Sequence, residues 1–460
     1  MLKVYSLLLT LLCLLFSMQP ALAATPQPVS KVYVNKYLNT VAAASCLGVY
    51  LPQSSTEFDY LRSYGWQIEP YAQKQGKVET HFAVASNYFP QEKKKLYLVT
   101  FRGSASGADW KINLKTERVN YGGRNLPDMQ AIARGKLDKS LPAVHAGFNS
   151  YVDAVLRNAV VDDSGSLQGV FKCVQQEPEA HLILTGHSLG GAVATLLGER
   201  LASLGLEKDK FTVITFGAPA IGNEAFAASY GEAIDLVRIT NTSDPIPGSL
   251  QTFFGGYKQF GEQVKYALPS KVGSVQHDMA MYFDYSISEY YRERDRQMSL
   301  GRLEPVPDRK VVSGKPVVAV WLQNAKELNK LAFVTDIKRF ITDEYRRMLP
   351  SYLILGKNMS KEVYTSHDLI ELSKREGADY VLICGIDGSR PQQEKYWYLT
   401  LEQALFDNSG HMLTLGSFGH KVTPAVGNIQ AAGENLWQAR SDLMAQLPFI
   451  ITQNTPTLAK

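Results

Sequence analysis

The chain has 460 residues, with 48 Lys and Arg against 44 Asp and Glu and a hydrophobic fraction of 45%. That length exceeds one typical domain and supports two sizeable cores. The near balance of charge argues against a nucleic-acid partner, and the apolar content argues against disorder.

The N-terminus reads Lys3, an apolar stretch from Leu7 to Phe16, then Pro20 and Ala21-Leu22-Ala23. This is the layout of a secretory signal peptide cleaved after Ala23. The apolar stretch is about half of the roughly 20 residues that a membrane-spanning helix needs. The expectation is an exported protein, periplasmic or secreted. After cleavage Cys46, Cys173 and Cys384 remain, so at least one thiol is free or pairs with another chain, and a Cys46–Cys173 bond stays open. None of them has a second cysteine or a histidine at ligand spacing, so no metal is expected.

Residues 77–86 alternate like a strand, and 94–104 form an apolar strand ending in a turn. Further β-rich runs lie at 180–186, 210–219 and 234–245, with helical patterns between them, as at 150–160. The fold class is therefore α/β, with a mostly parallel sheet and helices on both faces. Residues 292–314 are charged, carry two prolines and lack an apolar period, which marks a linker between residues 24–291 and a smaller α/β unit at 315–460. In that unit strands are expected at 315–322, 379–387 and 396–406, with "DNSG" turning the last into 411–422. Residues 325–349 and 428–447 have helical spacing.

The chemistry gathers around "LILTGHSLGGA", where Ser188 stands between Gly186 and Gly190. A strand ending and a helix starting within so few residues force a sharp turn, and small residues two before and two after the serine let the backbone pass. The hydroxyl is then presented at the sheet edge beside a helix N-terminus, which favours negative charge. Those are the needs of an acyl-transfer nucleophile. A phosphate-cradling turn would want G-x-G-x-x-G or G-x-x-x-x-G-K, and neither is present.

Such a serine needs a base, and the base an orienting acid, in the chain order Ser, Asp, His. Asp244 follows an apolar strand in "RITNTSDPIP"; taken by itself it reads as an Asx-turn residue, and downstream of Ser188 as the acid. His277 is the only histidine between Asp244 and the linker, which leaves it as the base. Oxyanion donors are expected at the backbone of Leu189 and at Ser104, which ends "VTFRGS".

The ordered pieces "TFRGS", "DWKINL", "VHAGF", "TGHSLGGA", "TFGAPAIGN", "NTSDPIP" and "HDM" resemble the class 3 lipase family, the fungal-lipase-like branch of the α/β-hydrolases, over roughly residues 30–290. The resemblance implies carboxylic-ester hydrolysis through an acyl-enzyme without a cofactor, with the triad at Ser188, Asp244 and His277 and the oxyanion hole at Ser104 and Leu189. It also implies a lid after Ser104, where Trp110, Ile112 and Leu114 share a face; an ordinary docked loop remains the alternative. Ala220 stands where the family commonly has arginine. Residues 315–450 resemble the TolB amino-terminal-like fold of cell-envelope proteins in "SKREGADYVLICGID" and "LFDNSGHML", which implies a docking module for an envelope protein.

The expected function is an exported serine ester hydrolase acting on lipids, triacylglycerol lipase-like, at a lipid–water interface. The alternatives are a phospholipase A, a small-ester esterase, or a non-catalytic envelope-interaction protein on a hydrolase scaffold.

Overall fold

A computed structural model describes residues 30–75, 78–104, 117–158, 167–267, 277–356 and 364–452. The expected signal peptide lies outside the described residues, as do Trp110, Ile112 and Leu114 of the expected lid.

The first unit is built on strands β1 (Gln67–Gln75), β2 (Val78–Phe89) and β3 (Lys94–Phe101), a small β4/β5 ladder (Arg118–Asn120 with Ala143–His145), and β6 (Ala180–His187), β7 (Phe211–Phe216), β8 (Leu236–Asn241) and β9 (Glu262–Tyr266). The large sheet runs β1-β2-β3-β6-β7-β8-β9. From β3 onward every pairing is parallel, while β1, β2 and β3 form an antiparallel edge.

Helices α1 (Lys31–Gly48) and α2 (Thr56–Ser63) cover one face; α3 (Ala146–Asn158) and α4 (Leu189–Ser203) cover the other. Burial on both faces explains why the centre of β6, Leu182 to Leu184, does not alternate. Leu182 and Leu184 enter the core with Val152 and Leu197, whereas Ile183 enters the opposite core with Ala43 and Phe58. A strand buried on both faces loses polar–apolar alternation. Helix α1 was not among the sequence expectations. Its Ala42, Ala43 and Cys46 are fully buried, so it carries no amphipathic stripe to read.

Helix α5 (Met279–Ser299) joins the two units. Met279 and Tyr282 pack under the large sheet, and Ile287 and Tyr291 belong to the core of the second unit. The segment 292–314 thus begins inside a helix. Its charges mask the helical period because they pair at three-residue steps, Arg292 with Glu289 and Arg296 with Glu293, and Glu293 places a charge at a buried position.

The second unit carries β10 (Arg309–Lys310), β11 (Val317–Asn324), β12 (Ser351–Ile354), β13 (Tyr380–Ser389), β14 (Trp397–Asp407) and β15 (Met412–Val422), in the order β10-β12-β11-β13-β14-β15. The β14–β15 hairpin turns where "DNSG" indicated, with Asp407 Oδ1 accepting the amides of Ser409 and His411. Helices α6 (Val334–Met348), α7 (Ser366–Arg375) and α8 (Asn428–Gln446) accompany the sheet. The helix expected over 325–349 is interrupted: Lys326–Lys330 is a separate 3-10 turn, and Phe333, at φ 59°, starts α6. Burial of Leu328 and Leu331 in the second core outweighs the helical spacing there.

Cys46, Cys173 and Cys384 are all free thiols. Cys46 and Cys173 pack into cores on opposite faces of the large sheet, which rules out their bond. Among the described residues no cluster fit to hold a metal occurs, and no helix is long and apolar enough to cross a membrane.

Candidate active site

Strand β6 ends in the turn that carries Ser188, whose φ and ψ are 58° and −126°. That is a costly backbone for a serine, and the surroundings hold it there. A Cβ on Gly186 would lie 2.2 Å from the carbonyl carbon of Gly190, and one on Gly190 would lie 2.1 Å from the oxygen of Phe101. No side chain fits either position. The Ser188 amide donates to Phe216 O at 2.9 Å, tying the turn to β7, and Ser188 O accepts from Gly191 and Ala192 to begin α4.

Asp244 stands in the turn after β8 with its carboxylate shielded from solvent. Oδ1 accepts the Ile246 amide at 2.8 Å, an Asx-turn, while Oδ2 faces His277 Nδ1 at 2.8 Å. On the far side of the ring, His277 Nε2 lies 2.8 Å from Ser188 Oγ. The structure therefore brings Ser188, His277 and Asp244 into one hydrogen-bonded line. A carboxylate accepts only, so the ring of a neutral His277 carries its proton on Nδ1, leaving Nε2 free to accept from the serine hydroxyl.

Two further residues escaped the sequence reading. Tyr282, on α5, donates to Asp244 Oδ2 at 2.6 Å and accepts the Asn241 amide at 3.1 Å. Burial, and then the Asp244 charge, push its phenol well above the ordinary range, so it stays protonated and remains a donor. His187, next to Ser188 in the chain, turns to other partners. Its Nε2 donates instead to the His277 carbonyl at 2.8 Å, and its Nδ1 accepts from Tyr50 at 2.8 Å. Burial, and then the neighbouring His277, hold His187 well below the usual imidazole range, so the bracing ring is neutral.

Ser104 follows a strand end that touches the turn: a Cβ on Gly103 would sit 3.5 Å from Ser188 Cβ and 2.7 Å from His187 O. Leu189 is the first residue of α4, where an amide has no intrahelical acceptor. Ala220 is buried, with no exposed face to offer a substrate.

Residues 98–253 match the class 3 lipase family. The match takes in Ser104, Ser188, Leu189 and Asp244 and ends before His277. Curated relatives agree with it. A phospholipase A1 of Oryza sativa subsp. indica is 29% identical over 195 residues, covering 39% of this chain and 42% of its own. The secreted mono- and diacylglycerol lipase 1 of Fusarium solani is 28% identical over 181 residues, covering 39% and 46%. A chloroplastic phospholipase A(1) of Arabidopsis thaliana is 31% identical over 153 residues, covering 32% of each. The chain thus spans less than half the length of these relatives. The family match ends well before residues 315–450 and lends their TolB resemblance no support.

Proposed function

We propose that the protein is a serine carboxylic-ester hydrolase acting on lipid acyl esters. The observation that carries this is the line from Ser188 Oγ through His277 to Asp244, with 2.8 Å at each junction.

In the proposed reaction Ser188 Oγ attacks the ester carbonyl as His277 Nε2 takes its proton. The imidazolium is stabilised by Asp244, which itself stays ionised. The oxyanion forms against the amides of Leu189 and Ser104. His277 then protonates the departing alcohol, and water repeats the sequence in reverse to release the acid and restore Ser188. Tyr282 and His187 act as positioning residues, one on the carboxylate and one on the main chain of the base.

Acylglycerols are the first substrate class proposed. Phospholipids form a second reading, favoured by the phospholipase A1 proteins among the relatives. Export is proposed from residues 1–23, and no observation favours a docking role for residues 315–460. A fluorophosphonate probe tests the nucleophile: mass spectrometry is expected to find one adduct, on Ser188, and labelling elsewhere would overturn the assignment.

A further inference from the structure

Away from Ser188, a cavity of about 370 Å³ lies between the two units. Its size falls within the range of small-molecule sites, about 300–1,000 Å³. The first unit supplies Val41, Ala44 and Tyr60 to its walls, the bridging helix α5 supplies Ile287 and Tyr291, and the second unit supplies Phe340. The walls are predominantly apolar, and they are held apart by contacts that cross the boundary. Tyr60 donates to Gly433 O at 3.0 Å and meets the ring of Phe340 edge-on at 5.8 Å, while Gln430 Nε2 donates to Glu57 at 2.8 Å.

Charge sits on the lining unevenly. Asp343 is shared between Arg294 and Arg346, Glu434 pairs with His420, Glu57 accepts from Ser55 and Gln430, and Arg347 pairs with Glu344. Lys310, on the edge strand β10, is exposed and, among the described residues, is the lining cation that takes part in no ion pair. Val306, four residues earlier and also on the lining, is 42% exposed. The space therefore has a mouth with an uncommitted positive charge and an apolar interior.

We propose that this cavity binds a single-chain anionic amphiphile, its acyl chain between α1, α5 and α6 and its carboxylate at Lys310. A fatty acid is the simplest such molecule. The chemistry is the same whether it is released at Ser188 or arrives from outside, and the site does not depend on the ester-hydrolase reading. An occupant would touch both units, so it would stabilise the folded chain by an amount that grows with the logarithm of its free concentration above Kd.

Glycine 433 offers the means to test it. It lies within helix α8, and a Cβ built there would stand 3.5 Å from Tyr60 and 3.6 Å from Phe340, in ordinary contact at the cavity wall. Gly433→Leu fills the space and replaces a mid-helix glycine with a better helix former. Ala44→Leu fills it from the opposite wall.

The experiment uses the full chain, a photoreactive diazirine analogue of dodecanoate, and peptide mapping by mass spectrometry, with dodecanoate and dodecanol titrated by calorimetry. The proposal expects label on peptides from α5, α6 or α8, and loss of that label by about ten-fold in Gly433→Leu or Ala44→Leu, whichever folds with an unchanged melting temperature. Lys310→Glu should weaken dodecanoate about five-fold, as losing a rim ion pair does, and leave dodecanol unchanged. Label confined to peptides around Ser188, or binding indifferent to both cavity-filling variants, would overturn the site. Equal binding of dodecanol and dodecanoate would overturn the anionic head. To separate these results from the hydrolase reading, esterase activity is measured on the same preparations: a protein that binds dodecanoate in the cavity yet hydrolyses nothing keeps this proposal and sinks the other.

Discussion

Tyr282 and His277 donate to the same atom, Oδ2 of Asp244, at 2.6 and 2.8 Å. His277 stands just before α5 and Tyr282 in its first turn, and they approach the carboxylate together, so the placement of the start of the helix is written into the line that ends at Ser188.

Tyr282→Phe keeps the ring in the core and removes the hydroxyl, which frees Oδ2 to turn away from His277 and leaves the Asn241 amide without its acceptor. The expected result is a fall in kcat of about ten- to a hundred-fold, as for other outer-shell partners of a site, with KM little changed. Steady-state kinetics on a soluble ester check this. A stability loss of about 1–3 kcal/mol should accompany it in urea unfolding, from the buried groups left unpaired.

Two residues beyond Tyr282, Asp284 accepts the amides of Asn428, Ile429 and Gln430 at 2.5, 3.1 and 3.2 Å, capping α8 of the second unit. A Cβ on Gly427 would sit 2.6 Å from the Asp284 carboxylate, so only glycine fits there. Asp284→Ala is expected to cost about 1–3 kcal/mol, and Gly427→Val to destabilise in the same direction by steric displacement. Because α5 also carries Tyr282, activity should fall in parallel with melting temperature. Full activity from a destabilised Asp284→Ala protein would show that the two ends of the helix are uncoupled.

Glu199 is fully buried in α4, and among the described residues neither carboxyl oxygen has a hydrogen-bond partner. Burial raises its pKa to about 8. Below the unfolded value near 4.5 the group is protonated in both states and imposes no penalty. As pH rises from there to about 8 the unfolded chain gives up its proton while the folded chain retains it, so stability falls, and it levels off above pH 8. Glu199→Gln should remove this slope and gain on the order of a few kcal/mol at pH 9. Melting temperatures of both proteins between pH 4 and 9 check the sign; parallel curves would contradict it.

What the sequence could disclose follows from how each residue acts. The meeting of Ser188, Asp244 and His277 was legible because the proposed chemistry fixes their types, and the strand–turn–helix context and chain order fix their places. Tyr282 and His187 were not, since one works through a carboxylate and the other through a main-chain carbonyl, and many residue types in many places do the same. The parallel strands were readable as apolar runs. The course of α5 into the expected linker was hidden by charge pairs such as Arg296–Glu293, in which a charged residue takes a buried position. The break at Phe333 arises from tertiary burial of Leu328 and Leu331, which no local pattern records.

The most direct test of the central claim compares the protein with its Ser188→Ala variant on triacylglycerols, phospholipid vesicles and short-chain esters, after circular dichroism shows both to be folded. The account predicts hydrolysis of at least one lipid ester by the parent and a loss in kcat on the order of a millionfold in the variant, as in other serine triads. Equal rates from the two proteins, or no hydrolysis of any ester by the folded parent, would contradict it.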